Sequence, residues 1–479
     1  MTELKNKLSE TQLRSILERF NQQQRSAGAA EYSAENVAAS GRTDRDAAVL
    51  SDPALSSFAD LPAYKQLQLQ LKAAESTGIK RPYFMLHEGA AKDVTSVGGR
   101  TLLNFSTYDY LGLNADPRVN AAAAAAAERY GTSAGASRLV AGERPVHREL
   151  ERALAEHYHT GDCVVMVSGY AANVTTIASL FGPQDVIFAD KLCHNSIMTG
   201  AQDSGAVRIT YAHNDPAALE ELLKTNRARH QRALIVTEGV FSMDGNIAKL
   251  DALIELKHRY NAFLMVDEAH ALGCIGEHGF GSIEYFGADA ADVDIWMGTL
   301  SKSLCTCGGF IAGAHELIEL LKYKASGFVY SVGISPVLAA ASLKALELLH
   351  TESWRSRRLQ DNCRFALGCA RKLGLNTGLA DGTAVLPVII GSSLTAASLS
   401  NLLVDEGVCV LPIVYPVVPE SSARLRFFFS ERHSHEQIDK ALRLTAKLLP
   451  EAKSREQGFI ERAQQLKAQI LQQEDGHGF

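Results

Sequence analysis

Short apolar runs, each closed by a polar cluster, recur through the middle of the chain. Residues 163–167, 186–189, 233–236, 263–266 and 295–297 are runs of three to five apolar side chains. Runs this short, bounded by polar residues, read as buried strands. Stretches of helical composition separate them, so residues 116–350 alternate strand and helix. That pattern predicts a large α/β domain with a mostly parallel central sheet flanked by helices. The alanine run 121–127 reads as helix, since alanine has the best helix propensity and no Gly or Pro interrupts it. Residues 351–450 predict a smaller C-terminal α/β domain, with a helix over 351–374 and strand runs at 385–390 and 408–412.

The ends differ from the middle. Residues 1–24 have an amphipathic helical pattern, with Leu4, Leu8, Leu13, Ile16, Leu17 and Phe20 as its apolar positions. Residues 25–58 are rich in Ala, Ser, Asp and Glu and poor in large apolar side chains, so 1–60 is expected to be a helix and flexible linker. A helix over 61–74 leads into a segment, 61–115, expected to pack on the catalytic body. The tail, 451–479, is charged and Gln-rich and predicts an exposed helix.

Composition narrows the class. A chain of 479 residues that is 46% hydrophobic can bury a large core and form more than one domain. A net charge of −6 argues against a general nucleic-acid surface. No apolar run is long enough for a membrane span, and no signal peptide opens the chain. The eight cysteines show neither metal nor redox spacing, and several lie in apolar runs. The expectation is a protein of a reducing cytoplasm that carries no metal.

The polar clusters carry the candidate chemistry. After the run at 295–297 come Gly298, Thr299, Leu300, Ser301 and Lys302. A lysine just past a buried strand can lose solvation and become a nucleophile or base. Thr299 and Ser301 beside it could hold a phosphate. Together they suggest a Schiff base to pyridoxal 5'-phosphate. Asp267 closes the run at 263–266 and is placed to pair with a pyridinium nitrogen, although an Asp after a strand can also cap a helix. His270 follows at a spacing that could reach the phenolic oxygen. After 163–167 come Ser168, Gly169 and Tyr170 at a helix start, where backbone amides bind phosphate well. His194 follows 186–189 and could stack on a flat ring. Glu238 and Ser242 follow 233–236 in a polar loop assigned to the same cofactor. Five strand ends suited to one ligand agree with the rule that open α/β sheets bind ligands at the carboxyl ends of their strands.

From about residue 102 to 449 the chain resembles the α-oxoamine synthases, pyridoxal phosphate enzymes of fold type I. The matching stretches are 104–113, 237–245, 266–270 and 298–303, followed by Ala423, Arg424, Leu425, Arg426 and Phe427. The resemblance implies that Lys302 carries the cofactor, Asp267 pairs with its ring nitrogen, His270 meets its phenolic oxygen and His194 stacks on the ring. It implies that Gly169 and Tyr170, with Thr299 and Ser301, hold the phosphate, and that Arg426 grips the substrate carboxylate, as a bidentate guanidinium can. Tyr108 stands where many members carry an Asn that touches substrate. Ser137 and Arg138 lie where the family shapes the amino-acid pocket. Val332 and Gly333 lack the hydroxyls that usually reach the neighbouring subunit's phosphate.

The implied activity is carbon–carbon bond formation between an α-amino acid and an acyl thioester, carried on coenzyme A or an acyl carrier protein. The products would be an α-amino ketone, carbon dioxide and a free thiol, made by a homodimer with sites at its interface. The N-terminal extension is similar to the joint between carrier and synthase domains in fused biosynthetic enzymes. A fold type I aminotransferase or aldolase would use the same lysine and aspartate. A noncatalytic partner subunit would usually lack the lysine.

Overall fold

The computed structural model describes residue 49 and residues 52–475, except 77, 78 and 290. The amphipathic pattern at 1–24 and most of the 25–58 linker lie outside the described residues. Where that linker is described, Pro53–Ser56 and Phe58–Asp60 form short 3-10 turns.

Thirteen strands form three sheets among the described residues. In chain order they are β1 (Val94–Val97), β2 (Arg100–Asn104), β3 (Asp162–Met166), β4 (Val186–Asp190), β5 (Val207–Tyr211), β6 (Ala233–Glu238), β7 (Phe263–Asp267), β8 (Ile295–Thr299), β9 (Gly309–Gly313), β10 (Val385–Ile389), β11 (Val408–Cys409), β12 (Pro412–Ile413) and β13 (Arg424–Phe428). The large sheet has the order β3-β9-β8-β7-β6-β4-β5. Neighbours from β8 to β5 run parallel, and β9 lies antiparallel between β3 and β8.

Helices cover both faces of this sheet. Successive strand residues point to opposite faces, and both faces are buried. Val165, Phe188, Ile235, Leu264 and Trp296 join one apolar cluster. Val164, Ile187, Leu234, Met265 and Met297 join the other. This is why the strands read as continuous apolar runs rather than alternating ones. The helices that matter below are α1 (Pro117–Tyr130), α2 (Gly169–Leu180), α3 (Asn195–Asp203), α4 (Pro336–Thr351), α5 (Trp354–Lys372), α6 (Ser393–Asp405) and α7 (His435–Asp475). The alanine run lies inside α1, capped by Asp116, whose side chain accepts from the Arg118 amide. No described helix is long and apolar enough to cross a membrane.

The smaller domain uses residues from both ends of the chain. β10, β13 and β12 form one antiparallel sheet. The β1–β2 hairpin forms another by pairing β2 with β11 in parallel. The segment expected to lie on the catalytic body therefore completes the C-terminal domain instead. Phe105 joins the two sheets, donating to Cys409 O at 2.9 Å and accepting from the Phe428 amide at 2.9 Å. Helix α7 continues from the smaller domain past residue 451, with Pro450 inside. Proline removes one amide from the helical ladder, but Leu448 and Ala452 stay buried on either side and keep the helix on its track.

Candidate active site

Asp267 is the last residue of β7 and is 4% exposed. Its Oδ1 accepts from the Ala269 amide and its Oδ2 from Asn173 Nδ2, both at 2.9 Å. The strand ends here in a turn, so Asp267 does not cap a helix. Glu238, at the end of β6, is its register partner. Two carboxyl groups so placed cannot both ionise cheaply. Burial, and then the neighbouring Asp267, push the Glu238 acid up to about 8. Glu238 Oε2 accepts from the Ser242 amide at 3.1 Å, while its buried Oε1 has no partner among the described residues.

Lys302 stands in the loop between β8 and β9, which starts and ends at the paired residues Thr299 and Gly309. Thr299 Oγ1 donates to Gly308 O at 3.0 Å and accepts from the Ser301 amide at 3.2 Å. These bonds fix the loop backbone. The Lys302 ammonium lies over the Tyr108 ring, 5.7 Å from its centre. Burial lowers its pKa, opposed by Asp267 and Glu238 and reinforced by Arg426, and the result is below the ordinary lysine range. That is the environment of an amine made available as a free base.

The other candidates surround this lysine. His270 is 5% exposed, and its Nδ1 is 2.7 Å from the buried Tyr110 hydroxyl. Burial and the Lys302, Arg426 and His194 charges hold the His270 imidazole well below its usual range. His194 caps α3 at the mouth and is solvent-exposed on one side, with Ser196 Oγ 2.7 Å from its Nδ1. Partial burial lowers it too, opposed by Asp267. Arg426, on β13, donates to Ser242 O at 2.9 Å and stacks over Phe428 at 4.6 Å, while its buried Nε lacks a partner among the described residues. Ser242 thus enters through its backbone.

The start of α2 packs against β8 and β9. Ser168 caps α2 by accepting from the Ala171 amide at 3.0 Å. Gly169 opens that helix and is pressed against β8 and β9. A Cβ on it would meet Thr299 Oγ1 at 3.1 Å, and a Cβ on Gly309 would meet Gly169 Cα at 2.5 Å. The first amides of a helix have no intrahelical acceptor and bind anions. Tyr170 is 49% exposed beside them, its hydroxyl 3.4 Å from Thr199 Oγ1.

Two expected pocket residues are used elsewhere. Ser137 donates to Val329 O at 2.7 Å. Arg138 is buried in ion pairs with Glu143 and Glu151, at 2.7 and 2.6 Å. Tyr110, Asn173, Ser196 and Phe428 are the site residues that the sequence reading did not single out. Tyr110 lies within the stretch 104–113 and Asn173 three residues beyond Tyr170, but nothing in their spacing marks their partners. All eight cysteines are free thiols, and burial pushes Cys305, in the lysine loop, up to about 12.

The family model for class I and II aminotransferases matches residues 100–444. The 8-amino-7-oxononanoate synthase of Thermoanaerobacter pseudethanolicus is 38% identical over 394 residues, covering 82% of this chain and 98% of that protein. The chain belongs to the α-oxoamine synthase family. Two solved members share its fold. The serine palmitoyltransferase of Sphingomonas wittichii superposes with a TM-score of 0.78 at 30% identity, over 82% of this chain and 99% of that one. The serine palmitoyltransferase from S. paucimobilis with a bound PLP–myriocin aldimine gives 0.79 at 27% identity, over the same 82% and 99%. Each of these relatives is matched over nearly its whole length. The fold type I architecture, a large mostly parallel sheet with a smaller domain, is common to them and to this chain.

Proposed function

We propose that this α-oxoamine synthase is a pyridoxal 5'-phosphate-dependent C-acyltransferase. It condenses an α-amino acid with an acyl thioester of coenzyme A or an acyl carrier protein. The observation that carries this reading is the convergence of Lys302, Asp267, His270, His194 and Arg426 on one pocket. The residues fit the cofactor. A lysine of lowered pKa faces a buried carboxylate pair. Gly169 and Gly309 leave room only for backbone beside the α2 amides. Buried polar atoms of Glu238 and Arg426 await partners.

Ser168, Gly169, Tyr170, Thr299 and Ser301 would hold the phosphate. Asp267 would pair with the protonated ring nitrogen, His270 would hydrogen-bond to the phenolic oxygen, and His194 would stack on the ring. The bound cofactor supplies an electron sink for charge developing at the substrate Cα. Lys302 removes the Cα proton, and Arg426 holds the substrate carboxylate over Phe428. Cα then bonds to the thioester carbonyl carbon and the thiolate leaves. The resulting β-keto acid loses carbon dioxide, and Lys302 returns a proton to Cα. Lys302 acts as nucleophile and as proton carrier, so its desolvation serves both roles. Tyr108, beneath the lysine, lines the substrate side.

The working unit is a homodimer in the cytoplasm, with Tyr330 and Val332 at the subunit contact. They are 89% and 51% exposed. Gly333 cannot offer its amide to a neighbour's phosphate, because that amide donates to Ala136 O at 3.1 Å.

A panel of glycine, alanine, serine and larger amino acids, each with acyl thioesters of coenzyme A and of a carrier protein, tests the reading. Stoichiometric release of thiol and carbon dioxide is expected with at least one pair. Transfer of the amino group to a keto acid without thiol release would assign an aminotransferase instead.

A further inference from the structure

Three buried side chains from three elements meet behind the pocket wall. Asn173 of α2, Ser196 of α3 and Asp267 of β7 are 1%, 0% and 4% exposed. Asn173 Nδ2 lies 2.9 Å from Ser196 Oγ and 2.9 Å from Asp267 Oδ2. Ser196 Oγ lies 2.7 Å from His194 Nδ1, and the Ser196 amide donates to the same nitrogen at 3.3 Å.

Valence fixes the protons. A carboxylate only accepts, so the Asn173 nitrogen, not its oxygen, faces Asp267. The second hydrogen of that NH2 goes to Ser196 Oγ. The Ser196 hydroxyl hydrogen is then directed at His194 Nδ1. The Ser196 amide aims there too, so Nδ1 is an acceptor and the ring proton sits on Nε2. Asn173 Oδ1 is buried with no partner among the described residues. A side chain present only to fill space would not need to desolvate an unpaired carbonyl.

We propose that Asn173 is a positioning residue, whose two amide hydrogens fix the rotamer of Asp267 and, through Ser196, the tautomer and tilt of His194. It holds the group that meets the cofactor's ring nitrogen and the group that meets the ring face in one rigid frame. The inference rests on the pyridoxal phosphate reading for its consequence, but not for its geometry.

The full-length protein is compared with Asn173→Leu, which removes both donors at similar volume, and with Ser196→Ala, which cuts only the branch to His194. Nitrogen NMR of histidine-labelled protein, with His194 assigned by its loss in His194→Asn, reads the tautomer with and without pyridoxal phosphate. Wild type should show an unprotonated Nδ1, and both variants, which keep only the longer bond from the Ser196 amide at full strength, should show a shifted Nδ1 signal with part of the proton moved onto it. An absorbance titration with pyridoxal phosphate should show affinity about tenfold lower in Asn173→Leu, the usual scale for a lost supporting contact behind a ligand-binding group. Wild-type His194 signals together with affinity within about twofold in Asn173→Leu would overturn the proposal. If that variant does not fold, unchanged His194 signals in Ser196→Ala overturn it. A wild-type protein that binds no pyridoxal phosphate would strike the functional reading, and the tautomers of the unliganded proteins would still decide this one.

Discussion

At the scale of single residues, Lys302 is the test of the chemistry. It sits over Tyr108 in a loop fixed at both strand ends, so its side chain can swing while its backbone stays put. Lys302→Ala should lower turnover by about 10³-fold or more, because one group supplies both the nucleophile and the proton transfer. Pyridoxal phosphate should still bind through its phosphate. Borohydride reduction of the wild-type holoenzyme followed by peptide mapping should tag Lys302, and a tag on a different lysine would require a new site map. The lysine, the aspartate and both histidines could be singled out from the sequence because each follows an apolar run that reads as a strand. Tyr110 and Asn173 were not. Their meaning lies in partners 160 and 94 residues away, and no local pattern encodes a hydrogen bond across that distance.

Among elements, two contacts govern the pocket's stability. Gly309 brings β9 against the start of α2, where an added Cβ would lie 2.7 Å from both Gly169 N and Ser168 O. Gly309→Ala should cost about 1–3 kcal/mol, since backbone rather than a flexible side chain must yield. It should also weaken phosphate binding, measured by titration with pyridoxal phosphate. A variant with wild-type affinity and melting temperature would show that the two elements can separate freely. The second contact is the β6–β7 carboxyl pair. Glu238 keeps its proton in the fold up to about pH 8, against an ordinary value of 4.5. Between those values the folded chain binds more protons than the unfolded one, so stability falls as pH rises. Glu268, raised to about 7 by burial, acts in the same direction. The contribution of these two acids in the cofactor-free protein should therefore fall, on the order of a few kcal/mol, between about pH 5 and pH 8, opposed below about pH 6.5 by buried neutral histidines such as His157, His270 and His433. Glu238→Gln should flatten most of that slope in denaturant titrations, and an unchanged slope would place the proton elsewhere. Strands β3, β4, β6, β7 and β8 were legible in the sequence because burial on both faces makes them uniformly apolar, whereas the edge strand β5 is largely exposed and was not. β9 was not, because two of its five residues are glycine and only three apolar side chains stand between them.

For the whole molecule, the proposed dimer would cover the exposed Tyr330 and Val332 with a second copy. Light scattering at assay concentration should give a dimer, and Tyr330→Glu should shift it toward monomer with loss of activity. A fully active monomer would count against the shared site. The two-domain division could be read from the chain, but the membership of its N-terminal hairpin could not. That hairpin is held by two residue pairs to β11, about 300 residues further on, and by Arg100 donating to Asp405 O at 2.9 Å.

This closure has a consequence for anyone who would cut or graft the protein. The substrate-side wall takes Tyr108 from just after the hairpin and Arg426 from β13, while Phe105 joins their two sheets. That wall is assembled from both ends of the chain, and the lysine side from its middle. The catalytic unit therefore has no internal seam. Trimming the chain back to residue 105 would leave Tyr108, the lysine, the aspartate and the histidines in sequence, yet it would remove the hairpin that ties the start of that wall to β11. Any fusion, permutation or minimal version must begin ahead of the hairpin at residue 94.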